Sequence, residues 1–164
     1  MHGAKIRSAC LEDAARICKI YNYYVQNTSI SFEEEPVGDD EMARRIEAIT
    51  LHYPWIVYES EGSILGYAYA SRWKDRSAYR FVAETTIYVS ADHLGEGVGT
   101  ALMGELLRRL GELKLHALMA VIALPNEKSV AIHEKFGFKK AAHFSEVGYK
   151  HGRWIDVGYW EKML

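Results

Sequence analysis

Three closely spaced glycines between a predicted strand and a predicted helix constrain this chain more than any other feature. Residues 85–89 are β-branched or aromatic and predict a strand, after which Gly95, Gly97 and Gly99 occupy alternate positions. Glycine tolerates a positive φ and lets a ligand approach the backbone closely. The helix that follows begins with free N–H groups and the positive end of its dipole, which favour an anion. The segment therefore predicts a cradle for a diphosphate-bearing cofactor, although such turns also occur as plain connections.

The bulk composition limits the partners that the chain can have. Its 164 residues suit one domain, and 49% of them are hydrophobic, which is enough for a complete core. The net charge of −2 gives no excess of positive charge for nucleic acid. The sequence has no apolar run near the roughly 20 residues of a membrane span, and its first residues lack a signal peptide's apolar region. We expect a single domain over residues 1–164, with no nucleic-acid and no membrane partner.

The two cysteines favour a reducing compartment. Cys10 and Cys18 lie eight residues apart on a predicted helix, about 12 Å along its axis, which is too far for a disulfide. Their spacing does not match a metal site either. We expect two buried thiols, a cytoplasmic protein and no bound metal.

The order of the predicted elements favours a mixed sheet with helices on both faces. The predicted strands cover residues 6–9, 55–60, 64–73, 79–89, 117–123, 139–147 and 154–162. A first helix is predicted over residues 11–24, and Asp39 or Asp40 is predicted to cap a second one. A third helix follows the glycines to about Gly111, and a fourth covers residues 128–136. An antiparallel meander that leads into a β-α-β crossover gives an α+β fold in αβα layers.

Several segments together resemble the GCN5-related N-acetyltransferase (GNAT) superfamily, and the likeness covers essentially the whole chain. Within it, the chain is similar to the phosphinothricin and methionine sulfoximine N-acetyltransferases. The segments concerned are the glycine turn, TSISF at 28–32 with EP at 35–36, WKDRSAY at 73–79, ETTIYVS at 84–90, VIALPNEKS at 121–129, FGF at 136–138 and KHGRWIDVGYW at 150–160. The resemblance implies the GNAT fold, whose mixed and mostly antiparallel sheet splays between its two central strands.

The resemblance also implies that acetyl-CoA is the co-substrate. Amides of the glycine turn would hold its phosphates, and amides freed by the splay would meet its pantetheine arm. The cofactor-binding residues implied in this way are Ile87, Tyr88, Val89, Gly95, Glu96, Gly97, Val98, Gly99, Thr100, Asn126 and Ser129. Asn126 can equally be a helix cap, and Ser129 a solvent-exposed helix residue. Leu94 departs from the superfamily pattern, which usually has Gln or Arg there, so one side-chain contact to a phosphate is lost.

Two side chains are candidates for acid–base catalysis of acetyl transfer. Glu84 lies among apolar and hydroxylic strand residues, where a carboxylate can take a proton from the amine directly or through water. The alternative for Glu84 is a salt bridge at a sheet edge. His133 lies on the short helix after Asn126 and titrates near neutral pH, so it can donate a proton to the leaving thiolate. Its alternative is packing against the core. The resemblance implies the catalytic role for both.

Lys74 and Arg76 are the candidate anchors of the acceptor. Two cations two residues apart in a strand-like segment project the same way and can hold a carboxylate together with a phosphinate, sulfoximine or sulfone oxygen. Solvated loop charges are the alternative. Phe32 and Tyr79 would form walls of the pocket or belong to the core, and the hydroxyl of Thr86 would bond to the substrate.

These patterns predict an acetyl-CoA-dependent N-acetyltransferase that acts by direct transfer in a ternary complex. The expected acceptor is the α-amino group of phosphinothricin, methionine sulfoximine or methionine sulfone, an activity that confers herbicide resistance. One alternative is acetylation of another small amine or a peptide N-terminus. Another is a non-catalytic acyl-CoA-binding module, which Leu94 favours, whereas Glu84 and His133 together argue against it.

The resemblance further implies a homodimer whose C-terminal segments lie near the partner. Four aromatic residues of that region, Tyr149, Trp154, Tyr159 and Trp160, fit either an interface or a core.

Overall fold

The computed structural model describes residues 3–164, so Met1 and His2, part of the stretch assessed for a signal peptide, lie outside it. The strands within this range are β1 Lys5–Ser8, β2 Trp55–Ser60, β3 Ser63–Arg72, β4 Val82–Val89, β5 Ala117–Leu124, β6 Lys139–Lys150 and β7 Arg153–Met163. The α-helices are α1 Ala14–Asn27, α2 Asp39–Thr50, α3 Val98–Leu110 and α4 Glu127–Lys135. No helix in residues 3–164 is long and apolar enough to span a membrane.

The described strands form one mixed sheet in the order β1-β2-β3-β4-β5-β7-β6. Strand β4 runs parallel to β5, and every other neighbouring pair is antiparallel. The parallel pair follows from the crossover through α3, after which β5 lies beside β4 and runs in the same direction. The mixed, mostly antiparallel sheet that the resemblance implies is confirmed.

Strands β4 and β5 pair only along their first residues. The register runs from Val82 opposite Ala117 to Glu84 opposite Met119 and ends there. Strand β4 stays paired with β3 as far as Val89, while β5 stays paired with β7. The two central strands therefore diverge after Glu84, which confirms the predicted splay.

Helices cover both faces of the sheet because neighbouring residues in a strand point to opposite sides. Ile56 packs in one hydrophobic cluster with Leu102, Leu106 and Leu110, which recur every four residues along α3. The next residue, Val57, packs in a second cluster with residues of α1 and α2. The result is the predicted arrangement of αβα layers.

A buried carboxylate joins the start of the chain to α1. The side chain of Asp13 is fully buried and accepts hydrogen bonds from Arg7 at 2.8 and 2.9 Å and from Arg16 at 2.6 Å. Burial acts to raise the pKa of Asp13, but hydrogen bonds from Arg7 and Cys10 outweigh it and hold that pKa well below its usual range. Asp13 therefore stays ionised inside the fold.

Several predicted boundaries are wrong where short 3₁₀ turns replace regular structure. Residues 11–13 form such a turn, so α1 begins at Ala14 rather than Leu11. Residues 77–79 form another, and β4 begins at Val82. Because β3 ends at Arg72, Lys74 and Arg76 lie in an irregular loop and not in a strand-like segment.

Three further expectations need correction. Strand β6 continues through Gly148 to Lys150, and a tight turn at His151 and Gly152, both with positive φ, joins it to β7. The N-cap of α2 is Gly38 and not Asp39 or Asp40, because the helix already begins at Asp39. Cys18 is buried as expected, but Cys10 is exposed.

Candidate active site

The glycine turn between β4 and α3 uses its glycines for two different reasons. Gly95 and Gly97 have φ values of +82° and +83°, a region that residues with side chains rarely adopt. Gly97 is also the N-cap of α3, so the first amides of that helix are free for an anion. Gly99 has an ordinary φ, but a Cβ there would lie 3.1 Å from Cδ1 of Ile132 on α4. The turn therefore fits a phosphate-bearing ligand in conformation and in the space that it leaves open.

The splay between β4 and β5 opens into a cavity of about 200 Å³. Strand β4 contributes five consecutive residues to its wall, β5 contributes four and α4 contributes its first two turns. Seven residues predicted for the site line the cavity together, namely Glu84, Thr86, Ile87, Tyr88, Asn126, Ser129 and His133. The splay between β4 and β5, which we call the fork, therefore places the two candidate catalytic side chains on one cavity.

Glu84 occupies the branch point of the fork. Among the residues that the structure describes, none forms an ion pair within 4 Å of its carboxylate, so the salt-bridge alternative is not observed. Burial raises the pKa of Glu84, and the positive charge of Lys74 opposes this only in part. A carboxylate with a raised pKa holds a proton more tightly than an ordinary one does, as a general base requires.

His133 is held in one tautomer by the backbone of its own helix. The ring is 93% buried, and its Nδ1 lies 2.7 Å from the carbonyl oxygen of Ser129. A carbonyl oxygen can only accept, so Nδ1 carries the hydrogen and Nε2 keeps a lone pair in the neutral ring. Burial lowers the pKa of His133, although the bond to Ser129 opposes the shift. At neutral pH the imidazole is therefore mainly neutral, with an acceptor rather than a donor at Nε2.

A second opening leads from the cavity back to the glycine turn. Its walls are mainly apolar, and they include Leu94 and Gly99 at one end and His133 at the other. Asn126 lines it and also caps α4, since its Oδ1 accepts from the Ser129 amide at 3.2 Å. Asn126 is therefore a helix cap, and its contact with the cofactor stays a prediction. Leu94 is 45% exposed, and it adds an apolar surface to this channel.

The residues predicted to bind the acceptor are divided between the cavity and the outer surface. Thr86 lines the cavity, and Phe32 lines an adjoining groove beside Glu33. Tyr79 packs edge-on against Trp73 with ring centroids 5.3 Å apart, and neither ring lines the cavity at Glu84 or the openings that adjoin it.

The two predicted cations lie on the same outer loop as Tyr79. The Lys74 amine lies 5.4 Å above the Trp73 ring, and Arg76 is exposed. Lys74 nevertheless acts on Glu84 through its charge.

Eight residues that line the cavity were not predicted for the site, and three of them, Tyr21, Ile30 and Tyr69, lie outside β4 and β5. Ile30 lines the cavity and three adjoining openings, and Tyr21 and Tyr69 face the cavity from α1 and β3. Tyr21 and Tyr69 fit the apolar periodicity of their elements, so the sequence pattern does not distinguish them from core residues. Ile30 lies within the TSISF segment, so the resemblance marked its neighbourhood but not its position.

Comparison with known proteins agrees with this geometry. Residues 6–158 match the acetyltransferase (GNAT) domain family. The chain belongs to the GNAT family. A phosphinothricin N-acetyltransferase of Streptomyces viridochromogenes is 39% identical over 158 residues, covering 96% of this chain and 86% of that protein. An L-methionine sulfoximine/L-methionine sulfone acetyltransferase of Salmonella typhimurium is 32% identical, covering 97% and 94%.

A solved structure of this GNAT family superposes closely on the chain. It is a phosphinothricin acetyltransferase from Sinorhizobium meliloti in complex with acetyl-CoA, with a TM-score of 0.95 and 38% identity, and it covers 100% of this chain and 89% of that one. The relatives confirm the predicted superfamily, the subfamily resemblance and the acyltransferase class. The roles of individual residues stay predictions.

Proposed function

We propose that this GNAT enzyme transfers the acetyl group of acetyl-CoA to the α-amino group of a small amino-acid analogue. The observation that carries the proposal is the position of Glu84 and His133 on one cavity at the fork of β4 and β5. Relatives named for phosphinothricin and for methionine sulfoximine or sulfone support these compounds as acceptors. Acting on phosphinothricin, the enzyme would confer herbicide resistance, working in the cytoplasm as a single domain over residues 1–164.

Transfer proceeds directly within a ternary complex. The acceptor nitrogen attacks the acetyl carbonyl carbon, the N–C bond forms, and the C–S bond breaks with its electron pair leaving on sulfur. Glu84 takes a proton from the acceptor's ammonium, directly or through water, and burial makes its carboxylate the stronger base for this step. Backbone amides of Ile87 and Val89, freed by the splay, would meet the thioester and the pantetheine arm.

His133 supplies a proton to the departing thiolate in this scheme, but it must first gain one. Its Nδ1 hydrogen is committed to Ser129, and its neutral Nε2 is an acceptor. We therefore assign His133 a relay role, in which Nε2 is protonated from the acceptor side and then releases that proton to sulfur. The low pKa that burial imposes favours the release.

An acceptor screen with purified enzyme and acetyl-CoA tests the proposal by free-thiol release. We expect the highest kcat/KM for phosphinothricin, methionine sulfoximine and methionine sulfone, and much lower values for spermidine and for an alanine-initiated peptide. Intersecting initial-rate lines are expected for a ternary complex, whereas parallel lines would indicate a covalent acetyl-enzyme. Activity confined to the peptide or polyamine would overturn the acceptor class, and acetyl-CoA binding without turnover would indicate a binding module.

We further propose a homodimer built on the outer face of β6 and β7. Strand β6 is an edge strand, and the exposed fractions of Phe144, Val147, Tyr149 and Trp154 lie between 47% and 63%. Trp160, by contrast, is buried in the core. An exposed apolar edge strand favours pairing with another chain. Sedimentation should give a dimer, and Trp154→Glu should shift it toward monomer; a monomeric wild type would contradict the assignment.

A further inference from the structure

The loop that carries Ile30 is attached to the β6–β7 hairpin at three separate points. The Lys150 amine donates to the carbonyl oxygen of Ser31 at 2.6 Å, and Arg153 Nη2 donates to Ser29 Oγ at 2.6 Å. The ring of Phe32 lies against Gly148 so closely that a Cβ at that position would overlap it. All three contacts join residues more than 110 positions apart, so they are tertiary and not local.

Lys150 is an unusual residue for such a contact because it is 98% buried. Lysine is rarely buried this far unless its charge is satisfied, since desolvating an ammonium group is costly. Ser31 is also buried, at 4% exposed. The carboxylates of Glu33 and Glu34, from the same loop, act favourably on the ammonium charge. The loop therefore supplies both the acceptor and the compensating charge for this lysine.

The loop needs these contacts because its own backbone is irregular. Residues 28–38 form no helix or strand, and their internal hydrogen bonds are short-range, such as the Ile30 amide to Thr28 Oγ1 at 3.1 Å. On the other side, Ser31 Oγ lies 2.8 Å from the Tyr21 hydroxyl, which also donates to Glu33. The hairpin thus completes a chain of polar contacts that ends at a cavity-lining tyrosine.

The position of Ile30 is what this arrangement fixes. Its side chain lines the cavity at the fork, the channel toward the glycine turn, and two adjoining grooves. It lies between two residues whose atoms the hairpin holds, Ser29 and Ser31. We propose that Lys150 and Arg153 are positioning residues that hold Ile30 against the cavity at the fork, where the acceptor would bind. The proposal rests on the acetyl transfer proposed above, and neither residue lines the cavity that holds Glu84 and His133.

Kinetics of Lys150→Met test the proposal, since methionine keeps the length and apolar stem and removes the charge and donors. We expect the acceptor KM to rise about tenfold, while kcat at saturating acceptor stays within about twofold and the Kd for acetyl-CoA changes much less than the acceptor KM. Lys139→Met is the matched control, because Lys139 is an exposed lysine on the same strand. It should leave all three quantities unaltered. An unchanged acceptor KM in folded Lys150→Met would overturn the proposal.

Two milder variants keep the test decisive if Lys150→Met does not fold. Arg153→Gln removes the bond to Ser29 from an exposed position, and Gly148→Ala displaces Phe32 from the hairpin side. Each should raise the acceptor KM about three- to tenfold, with a much smaller change in the Kd for acetyl-CoA. Gly104→Ala is the control for the second variant, because its Cβ would meet Phe136 only at an ordinary 3.8 Å. Equal KM values for both variants and the wild type would reject the positioning role.

Hydrogen exchange separates this proposal from the proposed function. Amides of residues 28–35 should exchange at least fivefold faster in Arg153→Gln and Lys150→Met than in the wild type, with α3 unchanged. This outcome does not depend on which amine is acetylated. If the wild type acetylates a different amine, the acceptor assignment fails while faster loop exchange still supports the positioning role. If loop exchange is unaltered, the positioning role fails whatever the acceptor is.

Discussion

Glu84 pairs with Met119 as the last rung between β4 and β5, so the candidate base lies where the central sheet divides. One residue later the strands no longer share hydrogen bonds, and the cavity begins. The carboxylate is partly buried at this point, and that burial raises its pKa.

Replacing Glu84 tests its assignment as the base. Glu84→Gln should lower kcat/KM for methionine sulfone by about 10²-fold at pH 7, because the ammonium loses its proton acceptor. The deficit should shrink as the pH rises and free amine accumulates in solution. Thiol release measured from pH 6 to 9.5 gives both results, with Glu47→Gln on exposed α2 as the control. A deficit that does not change with pH would point to a structural role.

Lys74 and Arg76 are expected to differ in their effect on the pH profile. The charge of Lys74 lowers the pKa of Glu84, so Lys74→Ala should raise that pKa further. The acid limb of the kcat/KM profile should then move to higher pH, while Arg76→Ala leaves it in place.

Arg76→Ala should instead raise the acceptor KM by roughly 10- to 100-fold, the loss of one charge-assisted contact, with the acetyl-CoA KM nearly unchanged. A neutral amine without a carboxylate should barely respond to this change. If no amino-acid analogue responds, Arg76 is not part of the acceptor site.

Closing the space at Gly99 should weaken acetyl-CoA binding. A Cβ there would already lie 3.1 Å from Ile132 Cδ1, and Gly99 lines the channel beside Leu94. Gly99→Val should therefore raise the acetyl-CoA Kd more than about tenfold by calorimetry, because its methyl groups narrow the channel and shift the start of α3. Circular dichroism should show a retained fold. Unchanged affinity would reject the cradle at this turn.

Asp13 should make stability depend on acid pH. The pKa of its carboxyl is depressed in the folded state, so its contribution is complete above the unfolded value of about 3.9 and is lost as the pH falls below it. Asp13→Asn should lower the free energy of unfolding at pH 7 by about 3 kcal/mol, since Arg7 and Arg16 lose a buried partner. Urea titrations at pH 7 and pH 3 should show a smaller difference for the variant than for the wild type. Asp40→Asn, at an exposed position on α2, should match the wild type at both pH values.

The sequence was most informative where periodicity and special residues coincide. The strand, glycine turn and helix around Gly97 were predictable because a buried strand, residues able to take positive φ and an apolar helical face each leave a local pattern. The loop after β3 was not, because two cations two residues apart look alike in a strand and in a bend. In the fold Trp73 packs against Tyr79 across this loop, and such a tertiary contact is not visible in the spacing of residues along the chain.

Burial of charge was equally hidden from the sequence. Lys150 lies at the end of a strand beside a turn, where a lysine is normally solvated. It is nevertheless buried, and its amine donates to a carbonyl oxygen more than 100 residues away in the sequence. The tautomer of His133 likewise depends on one helical carbonyl at 2.7 Å, which spacing along the chain does not reveal.

Strands β4 and β5 lose their hydrogen bonds to each other at the fork, and this affects the stability of the folded chain. Beyond Glu84, the backbone groups of β4 that face β5 have no partner strand in the described chain, and unpaired backbone groups are costly to bury. An extended ligand laid between the strands, as the proposed function requires, would hydrogen-bond to these groups and so favour the folded chain over the unfolded one. Linkage gives about 2.7 kcal/mol of added stability at one hundred times the dissociation constant. If the proposed function is correct, the enzyme with acetyl-CoA bound would be the more stable form, and resistance to heat or protease would report the fraction of enzyme that carries it.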